Sequence, residues 1–310
     1  MVISAVAIMI GMMVRRYRIM DTRKPFAGLI PAVIFVFAFG SMAMASDIAF
    51  YVGAVPGGAY PEATMNKNVK KIIQDTGALF KDVQKFADDD LDGLGKWADA
   101  NMGDGELDII WINGSTPSVL YPLLNEKPDG SRAEKWLDDG NMIINVADYF
   151  SWGNFETGEK VRNKDVAAAN ILDLTEDIIV GEDDAVMKVT DTGKKFMPSL
   201  GAEVGTNRPV NIEAIAEPWE AAAIFASTKG VDDQGAGGLA DPIVLHNKET
   251  DGYIAIVNQG WKNNAIDKGA ACTELIKNWL VGKGLITGVK TSVEPVAKLS
   301  TIWGEIKATR

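Results

Sequence analysis

The chain has 310 residues, of which 31 are basic and 42 acidic, with one cysteine and one histidine. Its net charge of −11 repels nucleic acid and anionic lipid, so neither is expected as a partner. A lone cysteine, Cys272, excludes a disulfide framework, and a lone histidine, His246, excludes multi-histidine metal chemistry.

Residues 1–19 carry an apolar piece that an export leader does not need, which points to Met20 as the true initiator. From Met20, Arg23 and Lys24 precede an apolar stretch from Phe26 to Phe39, and Ala43-Met44-Ala45 forms an A-x-A site before Ser46. Residues 1–45 are therefore expected to be a signal peptide, and the mature chain periplasmic or extracellular, with no membrane contact after cleavage. The competing reading is a retained anchor, since the apolar run from Phe26 to Met44 is about 19 residues, near the lower limit for a span. Removing 1–45 takes away five basic residues and one acid, leaving 26 basic and 41 acidic residues and a net charge of −15.

Along the mature chain, "SDIAFYVGAV" predicts a strand, followed by loop chemistry at Pro56-Gly57-Gly58 and a helix through Ile72 and Ile73. "ALFKDVQKF" predicts a second strand, "DDDLDGLGKWADANMGDG" a short helix with loops, and "LDIIWI" a third strand. "PSVLYPLL" and "SRAEKWLDDG" read as helices, and "NMIINVADYF" as the fourth strand. Strand and helix alternate, which predicts an α/β fold: a three-layer, doubly wound, mostly parallel sheet. The stretch 151–210 is less regular and is expected to be an insertion or lid. "EPWEAAAIFAST" predicts a further strand, and "DPIVLHNKETDGYIAIVNQGW" two strands joined by a hairpin at Lys248–Gly252. A helix spans Asp267 to Val281 and buries Cys272 by spacing; one domain is expected over 46–284, with 285–310 a tail anchored by Trp303.

The third strand ends in Asn113-Gly114-Ser115-Thr116-Pro117, polar residues where a core would want apolar ones. In an open parallel sheet the ligand crevice lies beyond the carboxyl ends of the strands, so these residues are placed to meet a ligand. The same residues also suit a turn that caps a helix.

The runs "LDIIWINGSTPSVLYP", "WLDDGNMIINVADYF" and "DGYIAIVNQGW" before a final helix resemble the class I glutamine amidotransferase-like fold (flavodoxin-like in its layers), and within it the ThuA-like, trehalose-utilisation type. The resemblance is one of strand order and spacing over about Asp47 to Val281. It implies a nucleophile elbow at the end of the fourth strand, where amidotransferases carry a cysteine activated by histidine. Here that strand ends Asn145-Val146-Ala147-Asp148-Tyr149, with no Cys, Ser or Thr, and Cys272 lies on a late helix. Glutamine hydrolysis is therefore not expected. Asp148 is the only carboxylate at the elbow, a candidate nucleophile, base or cation ligand, although an Asp at this place more often caps the next turn. His246 falls at the hairpin, where a solvated side chain is expected.

"DDDLDGLGKWAD" places Asp88, Asp90 and Asp92 at alternating calcium-loop positions with Gly93 at the turn, but Asp99 stands where an EF-hand has Glu. Calcium is the one cofactor the sequence suggests; an acidic helix cap explains the same residues. Gly53, Gly57 and Gly58 match no phosphate-loop pattern. Trp111, Tyr121, Tyr149, Phe150, Trp152, Phe155, Trp219 and Trp261 fall at or after predicted strands, and Trp152 and Trp261 follow polar strand ends. Aromatic faces beside amides suit sugar rings.

The sequence thus leads to an exported α/β protein that binds a small polar ligand, carbohydrate among the candidates, over Asn113, Gly114, Ser115, Thr116, Asp148 and Trp152, with Gln259 and Trp261 closing one side. Two further readings stand beside it: a two-lobed periplasmic solute-binding protein, and a hydrolase using Asp148 or a metal.

Overall fold

A computed structural model describes residues 46–54, 60–124, 130–158, 161–163, 166–182, 184–260 and 266–287. The expected leader, Pro56-Gly57-Gly58, Trp261 and the tail beyond 287 lie outside the described residues. Fourteen strands are described: β1 (Ile48–Tyr51), β2 (Val83–Phe86), β3 (Ile109–Ile112), β4 (Met142–Val146), β5 (Gly153–Asn154), β6 (Val161–Arg162), β7 (Ala185–Val189), β8 (Glu203–Thr206), β9 (Val210–Asn211), β10 (Trp219–Ile224), β11 (Ala226–Ser227), β12 (Leu239–Ala240), β13 (Ile243–Asn247) and β14 (Tyr253–Val257). The main helices are α1 (Glu62–Thr76), α2 (Leu91–Ala100), α3 (Arg132–Asp138), α4 (Ala167–Ile171), α5 (Asp191–Phe196) and α6 (Lys268–Glu274), the last continuing as a π-helical turn over Leu275–Leu280.

Seven strands form one sheet in the order β10-β13-β14-β4-β3-β1-β2. The run from β2 to β14 is parallel, and β13 pairs antiparallel with both β14 and β10. The expected mostly parallel α/β sheet with its late hairpin is what the chain forms. Side chains alternate between two cores: Ile48, Phe50, Ile109 and Trp111 face Val69 and Ile72 of α1 and Ala271 and Cys272 of α6. Ala49, Tyr51, Ile110 and Ile112 face Leu94 of α2 and Trp136 of α3. Strands buried on both faces need continuous apolar runs, which explains why "IAFY" and "IIWI" show no polar alternation.

Local signals account for several helix starts. Ser131 and Glu134 form a capping box at α3, and Asp90 accepts from the Gly93 amide at α2. "PSVLYPLL" is not a helix but a series of turns over 118–124, because Pro122 has no amide to donate to a helical ladder. "ALFKDVQKF" yields a strand only from Val83; Gly77–Leu79 form a 3₁₀ turn. A second, five-stranded sheet, β8-β7-β11-β12-β9, takes strands from 185–211 and also from 226–240, on either side of β10. The irregular region is therefore wider than its expected span of 151–210.

At the amino edge of the main sheet, Asp108 is buried at 1% exposure. Its Oδ1 accepts the Asp47 amide at 2.5 Å and its own amide donates to Asn141 Oδ1 at 2.8 Å; among the described residues its Oδ2 has no partner. Burial, with the charges of Asp104, Asp47 and Glu106 nearby, pushes its carboxyl up to about 7. The folded chain thus keeps a proton that the unfolded chain releases near pH 4. Stability from this group is full below about pH 4, declines as the pH rises toward 7 and is level above. Asp108→Asn imitates the protonated form, so its melting temperature, measured from pH 4 to 8, should fall less steeply than that of the unmodified chain. An unchanged slope would show that Asp108 is ionised throughout.

Candidate functional site

The strand order reverses between β1 and β3, and the segments leaving their carboxyl ends meet there. Asn113 Nδ2 donates to Gly53 O at 3.0 Å and lies 2.9 Å from Met65 Sδ, while its Oδ1 accepts the Ser115 amide at 3.2 Å. Gly114 has φ 86°. A Cβ there would stand 2.6 Å from both Cβ and N of Asp148, so only glycine lets the β3 loop lie against the end of β4. Thr116 is bonded to the insertion: its amide donates to Gly153 O at 3.3 Å, its hydroxyl accepts from Ser151 Oγ at 3.2 Å, and its carbonyl accepts from Asn154 Nδ2 at 2.9 Å.

The end of β4 turns sharply at Ala147. Its φ is 75°, and the Asp148 amide donates back to Val146 O at 3.0 Å, the i to i+2 bond of a γ-turn with positive φ, which is strained for an L-residue. Ala147 therefore occupies the apex of this turn, at 1% exposure, with only a methyl side chain. Asp148 comes one residue later and is buried at 9% exposure; its Oδ1 accepts the Tyr149 amide at 2.8 Å, the capping role.

Against the elbow lie amides. Asn258, with φ 55°, accepts the Ala147 amide on its carbonyl at 3.3 Å. Gln259 Oε1 accepts from Asn145 Nδ2 at 2.8 Å and from the Phe150 amide at 2.7 Å, and its own Nε2 donates to Arg208 O. Histidine is at the opposite edge of the sheet. His246 sits within β13, mostly covered rather than solvated, stacked on Tyr253 at 4.6 Å and placed 3.1 Å from Asp251 and 3.5 Å from Glu220.

Beneath Asn258 and Gln259 is a charge network that the sequence did not reveal. Asp241 is fully buried and accepts the Asn258 amide at 2.6 Å, the Gln259 amide at 2.8 Å and the Thr206 hydroxyl. Lys268, at 3% exposure, donates to Asn258 Oδ1 at 2.6 Å and Gly260 O at 2.8 Å. Burial raises Asp241 to about 6 against the pull of these donors, and lowers Lys268 to about 8 against the attraction of Asp241. Lys268, Cys272 and Leu275 recur at i, i+4 and i+7, so helical spacing is the signal that could have marked this lysine as inward-facing. Nothing local marks Asp241. Burial likewise pushes the Cys272 thiol up to about 12, which fits a packing role.

The structure thus brings Asn113, Gly114, Ser115, Thr116, Asp148 and Gln259 together, but as a buried wall. Asn113, Ser115, Thr116 and Gln259 are each at most 1% exposed. Trp152 is half-buried, with the Arg162 guanidinium 4.9 Å above its ring. Trp111, Tyr121, Tyr149, Phe150 and Trp219 lie in the two apolar layers, and Phe155 is buried as well.

Open space lies one strand further along. A cavity of about 490 Å³ is lined by Val52, Gly53, Ala54, Glu62, Ala87, Asp88 and Asp89, beyond the carboxyl ends of β1 and β2. Asp88 faces two donors, the Tyr51 hydroxyl at 2.5 Å and the Ala54 amide at 2.9 Å. A Cβ on Gly53 would fall 2.1 Å from Asp88 Oδ1 and 2.2 Å from the Tyr51 oxygen, so glycine here makes room for the pair. The calcium-loop residues have other partners here: Asp88 turns to Tyr51 and Ala54, Asp90 caps α2, and Asp92 is exposed on the first helical turn. Among the described residues no group of three or more His, Cys, Asp or Glu side chains is arranged to hold a metal.

No family model matches the chain, and no curated protein matches it. Among solved structures it is similar to a ThuA-like protein from Bacteroides uniformis, at 10% identity over 76% of this chain and 89% of that one, with a TM-score of 0.39. It is also similar to the glutaminase domain of Trypanosoma brucei CTPS with bound acivicin, at 11% identity over 75% of this chain and 92% of that one, with a TM-score of 0.39.

The elbow gives a direct test of its own strain. A positive-φ conformation costs a non-glycine residue about 1–3 kcal/mol, and glycine relieves it at an entropic cost of roughly 0.5–1 kcal/mol. Ala147→Gly should therefore leave the protein equally stable or up to about 2 kcal/mol more stable in urea unfolding, whereas Ala255→Gly, in the middle of β14, should destabilise it. Equal losses at both positions would refute a strained elbow.

Proposed function

We propose that this chain is an exported, catalytically silent α/β protein that binds a small polar ligand in the cavity beyond β1 and β2. The observation that carries the reading is the pairing of an alanine at the elbow apex with a ligand-sized opening beside the reversal of strand order. Open α/β sheets take ligands outside the carboxyl ends of their strands, and 490 Å³ falls within the range of small-molecule sites. The A-x-A leader pattern and the acidic mature chain support an extracytoplasmic location.

The hydrolase reading has less support. Asp148 caps its own turn, and the segment facing the apex offers Asn258 and Gln259, which cannot act as general bases. A two-lobed solute-binding protein would build two sheet-centred lobes joined by hinge strands; here the described residues belong to one compact unit around a seven-stranded sheet.

A thermal-shift panel of sugars, amino acids, amines and calcium tests the binding reading, because a ligand that prefers the native state raises the melting temperature by mass action. A selective rise is expected, and Ala87→Phe, which fills the cavity, should remove it. A rise that survives Ala87→Phe would move the site elsewhere, and a flat panel with no turnover of glutamine or esters would favour a scaffold role.

A further inference from the structure

We infer that removal of the leader supplies the missing partner of Asp108: the α-ammonium of Ser46, formed when the Ala45–Ser46 peptide bond is hydrolysed, pairs with its buried carboxylate and locks the start of β1 to β3. The inference rests on the export part of the reading above and is independent of the cavity. A leader peptidase adds one water across the bond, leaving a carboxylate on Ala45 and an ammonium on Ser46.

Two observations carry it, and the first is an unsatisfied carboxylate. Asp108 is 1% exposed; its Oδ1 accepts the Asp47 amide at 2.5 Å, and among the described residues its Oδ2 has no partner. The charged groups gathered at this edge are Asp47, Lys81, Asp82, Asp104, Glu106 and Asp139. The cation among them is engaged elsewhere, since the Lys81 ammonium lies 3.9 Å from Asp47 Oδ2 on a side chain 70% exposed. A buried carboxyl oxygen without a donor costs stability, and a fixed ammonium would meet it.

The second is the position of the new terminus. Ser46 is itself buried, at 2% exposure, and its carbonyl accepts the Lys81 amide at 3.0 Å, so its main chain is held against the segment that enters β2. Its nitrogen is three bonds from the Asp47 nitrogen, which already donates to Asp108, and so lies within about 6 Å of Asp108 Oδ1. Rotation about the Cα–C bond of Ser46, free in a first residue, turns that nitrogen toward Oδ2. Successive main-chain nitrogens then face one carboxylate, the concave arrangement in which main-chain N–H groups hold anions. With the bond to Ala45 intact, burial and the charges of Asp104, Asp47 and Glu106 push Asp108 up to about 7; an ammonium alongside draws it back down and is itself raised. The decline in stability between about pH 4 and 7 should therefore weaken in the processed chain. The ammonium's contribution is full below about pH 8, its unfolded value, and is lost as the pH rises through its raised one.

Intact mass and N-terminal sequencing of the protein recovered after export come first, and Ser46 is expected as the first residue. Thermal melting then compares that chain with one that keeps Ala45 in front of Ser46, which moves the ammonium one residue away. At about pH 7 the Ser46 chain should melt several degrees higher; the gap should close above about pH 10, where the ammonium loses its proton, and should be absent when both chains carry Asp108→Asn. A second measurement needs no variant: periodate cleaves the amino alcohol of a free N-terminal serine, and Ser46 should react at least about tenfold more slowly in the native protein than in urea. Equal melting of the two chains, or equally fast cleavage in native protein and urea, would overturn the pairing and leave export standing. A gap that persists in Asp108→Asn would assign the ammonium to another group and overturn the role of Asp108. A first residue other than Ser46, or a retained leader, would overturn the inference together with the leader reading beneath it; the ligand panel bears on the cavity alone.

Discussion

The desolvated carboxylate of Asp241 is the constraint on which the carboxyl edge depends. A charge or polar group removed from water must be met by donors, and here they come from three other parts of the chain: Thr206 at the end of β8, Asn258 and Gln259 after β14, and Lys268, through Asn258, at the start of α6. Satisfying Asp241 joins the five-stranded sheet to the seven-stranded one. It also fixes Gln259, whose side chain then receives Asn145 and the Phe150 amide, so the elbow at Ala147 is held from below.

That chain of contacts explains why the polar residues of the crevice are not its opening. Several amides and hydroxyls around the elbow have been drawn into holding another segment: Asn113 holds the β1 loop, Thr116 the insertion, Gln259 the elbow. A polar wall tied together by such bonds is rigid and specific, but a ligand would have to break them to be bound by it. The open volume falls instead between β1, β2 and α1, where Tyr51 and Gly53 set out Asp88 on a surface of small residues. Fold and functional reading separate at this point, since the same sheet can present its site at any of several strand ends.

Much of the architecture was legible in the residues. The double-sided apolar strands, the capping box at Ser131, the hairpin at Lys248–Gly252 and the inward spacing of Cys272 all rest on signals that act within a few residues, and the folded chain keeps them. The failures have a common cause. "PSVLYPLL" has helical spacing but Pro122 interrupts it; the acidic run at Asp88 has calcium-loop spacing, but Tyr51, distant in sequence, claims the first carboxylate. Local pattern carries no information about which distant donor will arrive.

The sequence by itself determined the α/β class, the parallel order of its early strands and the want of a nucleophile at the end of β4, because periodicity and side-chain chemistry are properties of neighbouring residues. Only the tertiary structure decided that Asn113, Thr116 and Gln259 are wall rather than mouth, that Asp241 and Lys268 form the hidden joint, and that Asp88 faces open space. Those outcomes depend on which groups are stripped of water together, and desolvation is a property of the folded assembly of segments, not of any one of them.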